Sequence, residues 1–336
     1  MLGAGGVIGG AWLCGALAAL AEETGWDPGS ADYLVGTSAG AMMAGLVGTG
    51  VPPWLMVAHS AGDPLDGMSD ARGRPVAEAD RGAGAAFRLH RGFPRIGPGS
   101  PRLALNMLVS GRRYSPSARL VGWLPMGIVS TEPLKDTIRR AVPHGWAKHG
   151  NLWIVACDYE TGRRVVFGRQ DAPTADLADA VAASCAIPGF YRPVEIRGRL
   201  YVDGGMHSTS NLDLLAGTGV DLAICLNPMS SLDRASIRWP HQLFAAAMRR
   251  DIGRRLGREA KLLRHEGMKV ALIQPVAADL EAMGFNWMSR RRRQTVIDRS
   301  QQTVAEQLRR PELRALLDGL PAGAPEKIRR PAPAGV

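Results

Sequence analysis

No lysine or arginine occurs in residues 1–71 of this 336-residue chain. The same segment carries Glu22, Glu23, Asp27, Asp32, Asp63, Asp66 and Asp70, so it offers no basic face to nucleic acid or acidic lipid. Cysteine is scarce. The four residues Cys14, Cys157, Cys185 and Cys225 stand singly in apolar runs, a pattern that excludes a disulfide or zinc framework and suits buried thiols in a reducing compartment. Beyond residue 21 no uncharged apolar stretch reaches the length of a bilayer span. The first 21 residues are uncharged, yet they lack a basic leader and hold Gly3, Gly5, Gly6, Gly9, Gly10 and Gly15. That composition fits a backbone loop better than a signal peptide. A cytoplasmic location is expected, peripheral contact with a membrane aside.

An apolar content of 46% marks a globular chain, long enough for one large or two modest domains. The net charge of +10 is unevenly placed: from Arg72 onward all 41 basic residues face 24 acidic ones, an excess of 17. Such a field attracts anionic surfaces, acidic lipid or nucleic acid; a solvated Arg-rich surface is the simpler reading. Residues 60–125 are rich in Gly, Pro and Arg without sustained periodicity, which reads as a lid or insertion. Elsewhere apolar strands alternate with helices. Residues 13–23, 41–47, 135–141 and 175–184 read as helices. Residues 32–35, 152–157, 164–167, 222–226 and 270–273 read as buried strands, and 194–202 as a hairpin around Arg197-Gly198. This pattern predicts a three-layer α/β/α sandwich with a mainly parallel central sheet. Residues 241–265 and 289–317 read as basic, exposed helices, and the Pro/Ala/Gly-rich 321–336 as a disordered tail.

Ser38 lies at the centre of Gly36-Thr37-Ser38-Ala39-Gly40, between an apolar strand and a helix of small residues. A strand–Gly-x-Ser-x-Gly–helix order is a nucleophile elbow: the turn is tight enough to demand glycine on both sides, and the helix N-terminus favours negative charge at the serine. A serine nucleophile needs a base. Asp203, at the end of the apolar run Tyr201-Val202 and followed by Gly204-Gly205, is one candidate, with a capping carboxylate in a glycine turn as its simpler reading. His207, four residues later, is the other, as in a histidine triad. The opening run from Gly3 to Gly10 supplies backbone N–H groups for an anion or an oxyanion. Its glycine register does not fit a dinucleotide site.

Together these motifs resemble the patatin-like phospholipase family: a glycine-rich loop, Gly-x-Ser-x-Gly about 30 residues on, and Asp-Gly-Gly in the second half. The block Ala183-Ser184-Cys185-Ala186-Ile187-Pro188-Gly189 looks like the segment preceding Asp-Gly-Gly in that family. The resemblance covers residues 2–216, which read as a catalytic domain, with 217–320 completing the fold. It implies a Ser–Asp dyad of Ser38 (nucleophile) and Asp203 (general base), with Gly36, Gly40, Gly204 and Gly205 as motif glycines. The N–H groups of Gly5, Gly6 and Val7 would form the oxyanion hole. It further implies hydrolysis of lipid acyl esters, a lipid or acyl-ester substrate, no metal and no cofactor; no nucleic-acid partner is expected. Ala4 stands where the family usually has its first glycine, and Ile8 where a cation commonly follows. The latter removes that cation's help to the loop. Both departures keep open a catalytically weak or inactive lipid-binding member. With only Met1 and Leu2 ahead of the loop, the first strand is expected to be short or to continue upstream.

Overall fold

In the computed structural model, residues 1–63, 65, 68–75, 87–90, 97–109, 122–231, 233 and 240–330 are described. Met1–Gly3 runs extended into α1 (Gly6–Thr24), followed by β1 (Leu34–Thr37), α2 (Ala39–Gly48), α3 (Pro53–Ala61) and α4 (Pro101–Val109). Then come α5 (Glu132–Ala141), β2 (Leu152–Asp158), β3 (Arg164–Phe167), α6 (Leu177–Ser184), β4 (Val194–Ile196) and β5 (Arg199–Asp203). The remaining elements are β6 (Leu222–Leu226), α7 (Pro240–His265), β7 (Lys269–Ile273), α8 (Ala277–Met283), α9 (Arg293–Leu308), α10 (Pro311–Leu317) and α11 (Pro325–Ile328).

The expected α/β sandwich is present, and its sheet is mixed. The parallel part runs β2, β1, Met1–Gly3, β6, β7: Leu2 bridges Gly36 on one side and Leu226 on the other, both in parallel register. A segment this short joins the two halves because its neighbours use its backbone groups. Leu2 N–H donates to Val35 O, and Leu226 N–H donates to Met1 O. Beyond this parallel centre, β3, β4 and β5 are antiparallel. The β4–β5 turn has positive φ at both Arg197 and Gly198, the two-residue geometry that matches strand twist. Alternate strand residues face opposite layers. Leu34, Ile154 and Ala156 join the cluster that contains residues of α1, α2, α6 and α9, whereas Val35 and Val155 join the one built with α7. All four cysteines are buried and free.

α1 is apolar around its whole circumference, and such a helix is stable only when covered on every side. By length and composition it could cross a bilayer, but 72% of its most apolar window is buried inside this fold. α9 supplies the cover, with Ser300 and Ile297 closing on the backbone at Gly15. The stretch 289–317 is therefore not simply a set of exposed basic helices: Val296, Ile297, Val304 and Leu308 of α9 are core residues. Residues 321–330 also depart from the expected disorder. Ile328 is buried, Gly323 N–H donates to Gly25 O, and Trp54 Nε1–H donates to Glu326 O, so this stretch straps α1 and α3. The rest of the expected tail, 331–336, lies outside the described residues, as do 64, 66–67, 76–86, 91–96 and 110–121 of the expected lid.

Candidate active site

β1 and β5 share one edge of β2 and run towards each other, because β3 occupies the other edge. Thr37 pairs with Val155 and Asp203 with Ala156, the next residue along β2. The chain therefore leaves β1 where β5 ends, and Ser38 and Asp203 come together from positions 165 residues apart in sequence.

Ser38 has φ 54° and ψ −120°, a conformation that L-residues adopt at a cost of about 1–3 kcal/mol when the surroundings enforce it. Here the surroundings do. Gly40 lies so close to the Leu2 carbonyl that no side chain would fit, and Gly36 is equally confined by the backbone of Gly40 and Ala41. Ser38 N–H donates to Ser184 Oγ (2.8 Å), whose hydroxyl donates to Val155 O (2.6 Å). The Cys185 thiol donates to Ser38 O (3.1 Å). The block that contains Ser184 and Cys185 was legible as a motif, but its work of holding the elbow was not. A second support lies beneath. Asn211, itself in left-handed conformation, donates to Thr37 Oγ1 (3.0 Å), next to buried Glu259, which accepts from Ser208, Ser210, Leu212 N–H and Arg255. Glu259 is thus a structural carboxylate and not a surface counter-charge.

The Asp203 carboxyl is buried, and desolvation pushes its pKa up to about 6 despite hydrogen bonding from the Ser38 hydroxyl and from Gly205 N–H (2.7 Å). Gly204 lies flat against the Val155 backbone, which lets the chain turn directly after Asp203. His207 is in different company. Desolvation lowers its pKa to about 4, with Arg164 and Arg255 adding to the shift and Asp213 opposing it. The groups acting on Asp203 include Ser38; those acting on His207 do not.

At the glycine loop, Gly3 N–H donates to Leu226 O and Ala4 N–H to Thr209 O, so both are occupied. α1 starts at Gly6, with φ 61°, and its first-turn N–H groups have no carbonyl one turn behind them. Ile8 N–H is taken by Trp287 O (3.0 Å). Among the described residues, the N–H groups of Gly5, Gly6 and Val7 are the ones left to act as donors. Pro228 presses on Gly5, and the Trp287 carbonyl on Gly6. Both segments are held by Arg249 of α7, which donates to Pro228 O (3.1 Å) and stacks its guanidinium over the Trp287 ring at 5.7 Å. Arg249 is 9% exposed, and desolvation lowers its pKa to about 10. Sequence spacing had grouped it with exposed arginines; only its depth distinguishes it. Ile8 is fully buried in the core and does not face the loop's solvent side.

Ser38, Gly6 and Val7 open onto a cavity of about 350 Å³ whose walls include Met42, Leu46 and Met56. Of the lid segment, Leu65, Ser69, Asp70 and Ala71 also line it. A model of the patatin-like phospholipase family matches residues 2–216. The chain belongs to that family. β6 and β7 lie beyond the match, although they extend the same sheet through Leu2. Among curated proteins, three named only as uncharacterized NTE family proteins are similar, one from Mycobacterium bovis and two from strains of Mycobacterium tuberculosis. Each is 35% identical over 105 residues, which is 30% of this chain and 27% of the relative's length. The matched stretch spans about a quarter of those relatives.

Proposed function

We propose that this patatin-like protein is a serine acyl hydrolase that cleaves lipid acyl esters through Ser38 and Asp203. The observation that carries the reading is a strained elbow serine beside a desolvated carboxylate, opening onto a largely apolar cavity. Family membership supports the same class of chemistry. Raising an aspartate from the usual range to about 6 makes it a better base while leaving it ionised at neutral pH. Asp203 takes the Ser38 proton as Oγ attacks the ester carbonyl. N–H groups of Gly5, Gly6 and Val7 receive the oxyanion, and the proton passes from Asp203 to the departing alkoxide. The acyl group is left on Ser38. Water then attacks the acyl-enzyme with Asp203 again accepting a proton, and the carboxylic acid and free Ser38 are regenerated. The apolar walls hold the acyl chain through burial, which contributes about 0.8 kcal/mol per methylene.

A fluorophosphonate probe tests this directly. Labelling is expected on Ser38, competed by a long-chain ester and absent from Ser38→Ala. An unlabelled native protein would favour the inert lipid-binding reading.

We read the lone buried cysteines as those of a cytoplasmic protein and the basic charge as peripheral contact with an anionic membrane. The basic face is narrower than sequence spacing implied: Arg250, Arg254, Arg258 and Lys261 of α7 are exposed with Arg290–Arg292, whereas Arg249 is buried and Arg255 pairs with Glu259. Each exposed cation near an acidic bilayer adds up to about 1 kcal/mol, screened beyond roughly 10 Å at 0.1 M salt. Co-sedimentation with phosphatidylserine vesicles should fall with salt and drop about tenfold or more when Arg290, Arg291 and Arg292 become Gln. Equal binding to neutral vesicles at high salt would remove the electrostatic account.

A further inference from the structure

Three formally charged side chains line the described part of the cavity that holds Ser38, and they are not equivalent. Asp70 is already neutralised: Arg74 meets it at 2.7 Å, and the N–H groups of Arg72 and Arg74 donate to it. Arg140 lies where α5 ends against Ala71, whose N–H donates to Arg140 O, and it has partners of its own. Arg293 is different. It is the first residue of α9, lies half-buried on the cavity wall beside Ile297, and among the described residues donates to the neutral Ser60 hydroxyl at 3.4 Å. Among the described residues no carboxylate pairs with it. The charges that act on it are Arg290, which repels, and the Cys14 thiol, which burial holds protonated with a pKa raised to about 12. A cation withdrawn from water without a counter-ion is costly unless an anion completes it.

Its place relative to the chemistry follows from α1. Gly6, Gly10 and Cys14 are successive residues of one helix face, and all three line the cavity. At 1.5 Å per residue, Cys14 and its neighbour Arg293 lie roughly 12 Å along α1 from the oxyanion position at Gly6. A largely apolar cavity that reaches from Ser38 to a cation without a carboxylate partner among the described residues is suited to an amphiphile.

We infer that Arg293 is a specificity determinant that receives an anionic group, phosphate or carboxylate, tethered to the acyl ester bound at Ser38. The inference rests on the hydrolase reading for its substrate, and the subsite itself can be measured without turnover. The anion has two chemical sources, a headgroup phosphate or a carboxylate at the far end of the acyl chain, and paired substrates separate them. One pair is 1-acylglycerol 3-phosphate against 1-acylglycerol of the same chain. The other is a p-nitrophenyl ester of a dicarboxylic acid against that of the plain fatty acid.

In native protein the anionic member of one pair should be preferred in kcat/KM by about tenfold or more, the scale of one charge-assisted hydrogen bond. In Arg293→Gln that ratio should collapse towards one through KM, and Arg293→Lys should restore part of it. Octyl phosphate and octanol serve as probes without chemistry: titrated into Ser38→Ala, octyl phosphate should bind at least tenfold more tightly, and the difference should vanish when Arg293→Gln is added. Loss of all hydrolysis with this binding difference intact would remove the hydrolase reading and keep the subsite. Equal ratios in native and Arg293→Gln proteins, with equal binding of the two probes, would overturn the subsite. Thermal melting of Arg293→Gln guards against misfolding, and no loss is expected, since the substitution removes a half-buried charge that has no carboxylate partner among the described residues.

Discussion

Ser38→Ala and Asp203→Asn should each lower short-chain ester hydrolysis by at least about 10³-fold, while His207→Ala stays within tenfold of the native rate. Members of one reacting unit fail together, so the two losses should not add in the double variant. The pH profile supplies the sign. Asp203 acts as a base only when ionised, and its pKa stands at about 6, so kcat/KM should be level above pH 7 and fall tenfold per unit below about 6. Stability runs the other way. A carboxyl whose folded-state pKa is raised above the unfolded value near 4 binds more protons when folded, so stability declines as pH rises from 4 to 6 and stays reduced above it. At pH 7.5, Asp203→Asn should therefore melt higher than native protein, by up to about 3 kcal/mol, while being inactive. Full activity in Asp203→Asn, or inactivity of His207→Ala equal to that of Ser38→Ala, would replace the dyad with a histidine mechanism.

Arg249→Met should lower kcat about 10- to 100-fold with little change in KM. Methionine keeps the aliphatic length but loses both the bond to Pro228 O and the stacking on Trp287. Those two segments bear on Gly5 and Gly6 and take the Ile8 N–H, so freeing them loosens the donors aimed at the oxyanion. Losing a single oxyanion donor outright typically costs about 10²–10³ in kcat, which sets the upper end. Arg249 acts through other residues and is a positioning residue. A merely structural role would lower the yield of folded protein and leave kcat per probe-titrated site unchanged; that result would count against the clamp. Partial rescue by Arg249→Lys is expected, because lysine can reach the carbonyl but is a poorer partner for the indole face.

Local chemistry made the elbow and the strands readable. Gly36, Ser38 and Gly40 are contiguous with an apolar run, and a turn that tight admits few other sequences. The hairpin around Arg197-Gly198 and the strands over 164–167 and 222–226 were legible for the same reason: period and turn residues are local properties. The sheet's mixed direction was not. Continuous apolar runs mark strands buried on both faces, which parallel strands usually are, but a run reads the same whichever way its neighbour points. The head-on approach of β5 to β1 along β2 is the consequence that matters, since it delivers Asp203 to Ser38.

The sequence alone determined the family and the α/β class, because both rest on short segments whose residues dictate their own backbone, and the family resemblance in turn named the candidate dyad. Tertiary structure decided depth. Arg249, Arg254 and Arg293 look alike as letters at helical spacing, yet the first holds the segments packed on the glycine loop, the second faces water and the third lines the cavity. Depth depends on what each helix must cover, and here α1, apolar on every side, draws α9 and the strap at 321–330 against itself. The burial that converts a surface charge into a working group is a property of that assembled core and of no segment by itself.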